Sequence, residues 1–103
     1  MEKLIDRIQR AYESAEAKKH TKVYYRLYNA IRISIINNLL PQGEIMPATR
    51  VLAEHLSIAR STVIKSYELL AVEGYLESKI GSGYRIKTHA EASDEKRLEL
   101  NTE

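Results

Sequence analysis

Arg60, Ser61 and Thr62 stand together at the start of a segment whose apolar residues recur at helical spacing. A helix start exposes unpaired backbone N–H groups, which attract an anion before any side chain is counted. Arg60 adds a planar fork that pairs with phosphate or with the O6 and N7 edge of guanine, and the two short hydroxyls suit phosphate oxygens. Lys65 lies about one turn further along the exposed side. Arg50 occupies the first turn of the preceding helical segment. Lys79, Tyr84 and Arg85 flank or adjoin Gly81-Ser82-Gly83, a run whose backbone can approach a phosphate or a narrow groove closely. This is the chemistry of phosphate and base-edge recognition. The plainer readings are a solvated terminal charge at Arg60, an i,i+4 salt bridge from Arg50 to Glu54, and glycines that only tighten a hairpin.

Catalytic chemistry finds little support. His20, His55 and His89 are isolated, and His55 beside Glu54 is not a metal-binding HExxH pattern. Ser57, His55 and Asp94 lack the placement of a triad. Gly81-Ser82-Gly83 precedes strand-like residues instead of a helix, so it is a poor nucleotide loop. There is no Cys to serve as nucleophile, metal ligand or disulfide partner. Of the seven Tyr, Tyr24, Tyr28 and Tyr67 fall on apolar helix faces and belong to a core; Tyr84, next to Gly81-Ser82-Gly83, is the one kept as a surface aromatic.

These residues need elements to hold them. Leu4, Ile5, Ile8, Ala11, Tyr12 and Ala15 predict an amphipathic helix over about residues 2–18, with its packing partner, this domain or a second chain, left open. Tyr24, Leu27, Tyr28, Ile31 and Ile35 predict a second helix from about 23 to 38, ended by Leu40-Pro41-Gln42-Gly43. A short extended piece at Glu44-Ile45-Met46 leads to Pro47. From Ala48, the residues Val51, Leu52 and Leu56 predict a two-turn helix, and Ser57-Ile58-Ala59 separates it from a helix over 60–73 with Val63, Ile64, Tyr67, Leu70 and Ala71 inward. Two short helices joined by three residues make a helix-turn-helix. Gly74 caps it, and the period then changes to two in Tyr75–Lys79 and Tyr84–Lys87, a hairpin around a glycine-rich tip. The expected fold is mainly α with a small β-hairpin: a three-helix winged helix-turn-helix over 22–88, an extra N-terminal helix in 1–21, and an acidic linker or tail over 89–103.

The balance of charge agrees with that division. Lys and Arg minus Asp and Glu amounts to +1 over residues 1–21, +4 over 22–89 and −3 over 90–103. A basic centre suits a nucleic-acid-facing module, although the net charge of +2 would not argue it alone. At 103 residues one core is expected. Charges interrupt every apolar run of the N-terminus, so neither a signal peptide nor a membrane span is expected, and the absence of Cys suits the cytoplasm.

Residues 23–87 resemble the winged helix-turn-helix of the GntR family of bacterial transcription regulators, through YYRLYNAIRISI, LLPQGEIMPATRVLAEHLSIARSTV and YELLAVEGYLESKIGSGYRIK in order. Arg50 after Pro47-Ala48-Thr49, the Arg60-Ser61-Thr62-Val63 start, Tyr67 and the Gly81-Ser82-Gly83 wing are most similar to the MocR subgroup. The resemblance implies a double-stranded DNA operator as partner, a homodimer in the full-length regulator, Arg50, Arg60, Ser61 and Thr62 at DNA-contacting positions, and Gly81 and Gly83 shaping the wing. It also implies that such domains are joined to an aminotransferase-like domain holding pyridoxal phosphate; these 103 residues include no such domain, and no cofactor is expected in them. Ala48 and Ala59 replace frequent Ser caps, and Tyr84 replaces a usual Thr. The alternatives are a stand-alone YtrA-like regulator and a winged-helix module that binds protein.

Overall fold

A computed structural model describes residues 3–79, 81 and 83–87. The expected acidic segment 89–103, His89, Asp94 and Ser82 of the wing lie outside the described residues. Helices α1 (Leu4–Tyr12), α2 (Val23–Ile36), α3 (Thr49–Leu56) and α4 (Arg60–Val72) precede strands β1 (Leu76–Lys79) and β2 (Gly83–Ile86). A 3-10 turn over Ala17–Lys19 joins α1 to α2. The first helix is therefore shorter than the expected 2–18, and Ala15 is exposed.

One core serves all of these elements. Leu27 and Ile31 of α2, Leu52 of α3, Val63, Tyr67 and Leu70 of α4, and Leu76 and Ile86 of the hairpin are buried in it. Ile8 and Tyr12 of α1 are buried in the same cluster, so the partner of that helix is this domain. Arg26 fastens the contact: its Nε donates to the Tyr12 carbonyl at 2.9 Å, and its guanidinium lies 3.7 Å from the centre of the Tyr12 ring. That carbonyl is one of the acceptors a helix end leaves without an internal donor.

Three helices stop by the same device. After α4, Gly74 takes φ +89°, the Tyr75 N–H reaches the Leu70 carbonyl at 2.9 Å, and the Gly74 N–H reaches Ala71 at 3.1 Å. This is a Schellman closure, with Tyr75 and Leu70 both buried behind it. Asn38 (φ 60°) closes α2 and Ser57 (φ 58°) closes α3 through equivalent bonds, Leu39 to Ser34 and Ile58 to Ala53. The expected stop of α2 at Leu40-Pro41 is thus corrected: the left-handed residue Asn38 ends it before Pro41 is reached.

Strands β1 and β2 pair antiparallel in the register Leu76↔Ile86, Glu77↔Arg85, Ser78↔Tyr84 and Lys79↔Gly83. Glu44–Met46 runs along the other edge of β2, with the Ile86 N–H donating to Glu44 at 2.9 Å and the Met46 N–H to Tyr84 at 2.8 Å. The extended piece before Pro47 thereby ties the hairpin to the start of α3.

Candidate nucleic-acid interface

The first turn of α4 is open. Ala59, its N-cap, makes no side-chain cap bond, and neither α3 nor α4 has an acidic residue in its first turn. Arg60 and Ser61 are exposed and Thr62 is half-buried. The Arg60 Nε donates to the Thr49 Oγ1 at 3.0 Å, binding the first residue of α4 to the first residue of α3. One nitrogen of the fork is used in this bond, and the terminal nitrogens remain for another acceptor. Arg50 follows Thr49 and is exposed.

Behind this turn α4 is held rigidly. The Ser66 hydroxyl donates to the Tyr24 carbonyl of α2 at 2.7 Å and approaches the Thr62 carbonyl at 3.1 Å, and Ser66 is fully buried. The Tyr67 hydroxyl donates to the Pro47 carbonyl at 2.7 Å, and burial pushes its pKa well above the usual phenol range. At the far end the Tyr28 hydroxyl donates to the Glu73 carboxylate; burial first, and that carboxylate second, raise its pKa too.

The inward face of α4 is consequently Val63, Ser66, Tyr67 and Leu70. Two expected core residues are not on an inward face: Ile64 is 37% exposed and Val51 of α3 is 45% exposed. The buried face is centred further round the helix than hydropathy indicates, and Ser66, not Ile64, completes it. A small side chain there lets α4 approach α2 closely enough for its hydroxyl to reach the Tyr24 carbonyl.

The remaining candidates are placed unequally. Lys65 is exposed, with Nζ 3.9 Å from the centre of the Tyr24 ring. Tyr24 is therefore half-exposed under a cation, which corrects its reading as a core tyrosine. Tyr84 is not a free surface aromatic: its ring meets Tyr67 edge-on at 5.3 Å and is half-buried. The cause is the register, which sets Tyr84 on the side of the hairpin facing α4. Arg85 donates to Glu77 across the strands at 3.1 Å, and the Glu77 carboxyl is held below its usual pKa, first by that hydrogen bond and then by Lys79. Lys79 is half-buried opposite Gly83. Gly81 and Gly83 both take φ +80°, where a side chain would be strained, and have open space where a Cβ would project.

Thus Thr49, Arg50, Arg60 and Ser61 form one cluster where α3 and α4 begin, and Lys79, Gly81, Gly83 and Arg85 belong to the separate wing. Thr49 and Tyr24 were missed as positioning residues. Their pairing partners lie 11 and 41 positions away in sequence, and periodicity carries no signal for that. Among the described residues no three His, Cys, Asp or Glu stand close enough to hold a metal ion, and no helix is long and apolar enough to cross a membrane.

The chain is similar to known proteins in sequence and in fold. The chain is 41% identical over 66 residues to the probable rhizopine catabolism regulatory protein MocR of Rhizobium meliloti, covering 64% of this chain and 13% of that relative. Its fold is similar to YtrA of Sulfolobus acidocaldarius, a GntR-family transcription factor, with TM-score 0.63, 24% identity and coverage of 87% and 89% of the two chains. It is also similar to BusR of S. agalactiae, solved in complex with its busAB-promotor DNA, with TM-score 0.61, 23% identity and coverage of 82% and 41%. The model of the bacterial regulatory proteins of the gntR family matches residues 23–86, which begin with α2 and end with β2, and the chain belongs to that family.

Proposed function

We propose that this domain reads an operator in double-stranded DNA, with the start of α4 in the major groove, the start of α3 against the backbone and the wing toward the minor groove. The observation that carries this is the uncapped, acid-free first turn of α4, where Arg60 is aimed by Thr49 beside exposed Arg50 and Ser61. Donors converge there from two helices and from free N–H groups, the arrangement that phosphate and base-edge binding need. No acidic residue occurs from Ile45 to Ala53 or from His55 to Tyr67, so nothing in those segments repels a phosphate.

The likeness to MocR supports a MocR-like regulator acting in the cytoplasm as a transcription factor and not as an enzyme. The chain spans 13% of that relative. Pyridoxal phosphate would then be held by a further domain, and a homodimer would present two such heads to two half-sites.

Titration of a labelled duplex at several salt concentrations tests the reading. Affinity should fall steeply with salt, because each neutralised phosphate releases counterions. Arg60→Ala should leave the melting temperature nearly unchanged and weaken binding. If Arg60 reads guanine, the loss is about 1 to 3 kcal/mol with relaxed preference at one base pair; if it holds phosphate, the salt slope falls by roughly one. Binding that is flat across salt, or unchanged by Arg60→Ala, would overturn the assignment of α4 as the reader.

A further inference from the structure

Ile64 is a large apolar side chain that stays 37% exposed in the first two turns of α4, beside exposed polar residues. Single exposed apolar residues are common on protein surfaces and need no explanation by themselves. The position of this one is what matters. At about 100° per residue, Ile64 projects from α4 at an angle between Arg60 and Ser61, one turn further along. It therefore extends the strip that begins with the two exposed donors. The strip has an engaged cation on each side: Arg60 is tied to Thr49 of α3, and Lys65 lies over Tyr24 of α2. The next residue on this face, Glu68, is exposed and acidic and ends the strip, and the only other exposed large apolar residue of α4 is Val72 at its far end. Ile64 stays 37% exposed while the buried face of α4 is completed by Val63, Ser66, Tyr67 and Leu70.

From this placement we infer that Ile64 reads the C5-methyl group of a thymine in the major groove. The inference rests on the DNA-binding reading above and deepens it by assigning a base. The thymine methyl is the one apolar group that a base pair of unmodified DNA presents in the major groove, and it distinguishes T·A from every pair lacking it. A branched aliphatic side chain within the first two turns of a reading helix has the reach and the chemistry to cover it. Arg60 and Ser61 carry the polar contacts on the adjacent positions.

Deoxyuridine substitution isolates the methyl, because uracil keeps every hydrogen-bonding group of thymine. The probe is the duplex that the full chain itself enriches from a randomised library, remade with each thymine replaced singly by deoxyuridine. Burying one methyl group is worth about fourfold in affinity, so one position should lose about that factor with the wild-type chain and the others little. Ile64→Ala should bind the parent duplex more weakly by a similar or larger factor and lose its sensitivity at that position, while its melting temperature stays near that of the wild type. Wild-type binding indifferent to every replacement, or Ile64→Ala retaining the sensitivity, overturns the inference while leaving the salt-dependent, Arg60-dependent binding intact. If no sequence is enriched, sequence-specific reading fails first and the methyl contact falls with it.

Discussion

The hydrogen bond from Arg60 to Thr49 sets how the candidate interface is built. An exposed arginine has many rotamers, and ordering it at the moment of binding costs part of the contact it makes. The Thr49 hydroxyl removes some of that cost beforehand by holding Nε at 3.0 Å, with the terminal nitrogens of the fork left for another acceptor. Thr49→Val, which keeps the shape and loses the hydroxyl, should therefore weaken DNA binding by roughly fivefold, the worth of one hydrogen bond of about 1 kcal/mol. Its melting temperature should hardly change, since Arg60 is exposed and can return to water. Combining it with Arg60→Ala should add little, because both variants remove the same interaction. A full additive loss in the double variant would mean that Thr49 touches DNA by its own route.

Among the elements, α4 is fixed on three sides and loose at one. Ser66, Tyr67 and the Schellman closure at Gly74 anchor its body and its C-terminus, whereas Ala59 leaves the N-terminus without a side-chain cap. Ala59 already has the extended φ −69°, ψ 142° that a capping serine adopts, so Ala59→Ser needs no backbone change. It should stabilise the domain by about 1 kcal/mol, which thermal unfolding would register as a rise of roughly 4–8 °C for a chain of this size. A fall in melting temperature would show that the turn cannot accept the cap geometry.

What could be read from sequence at this scale follows from which forces are local. Leu27, Ile31, Val63, Tyr67 and Leu70 announced two helices and the faces they bury, because the 3.6 period is a property of each segment alone. The hairpin was legible from its change of period, and Gly74 from its position after the last apolar residue. Val51 and Ile64 were misplaced because hydropathy cannot tell a core position from an exposed strip on a neighbouring face. Asn38 and Ser57 as helix stops, the pairing of Glu44–Met46 with β2, and the contacts of Arg60 and Lys65 depend on the approach of distant segments. No window along the chain contains both partners.

For the whole molecule the decisive question is what α1 does. The sequence left open whether its apolar face meets this domain or a second copy, and Leu4, Ile8 and Tyr12 were candidates for joining two chains. In the structure Ile8 is fully buried and Tyr12 nearly so, within the one core that also contains Leu52, Tyr67 and Ile86. Arg26 clasps Tyr12, and the Arg7 Nη1 donates to the Leu39 carbonyl at 2.8 Å, so α1 is tied both to α2 and to the turn that follows it. A face consumed inside the chain is not available between chains. Ile8→Ala should then act as a core truncation, costing about 2–5 kcal/mol and lowering the melting temperature by the same amount at every protein concentration. An association helix would behave differently, since its loss would shift a concentration-dependent equilibrium and the melting temperature would follow concentration. Unfolding of Ile8→Ala followed over a hundredfold range of protein concentration separates the two. A concentration-dependent deficit would move α1 from the core of the domain to an interface between copies.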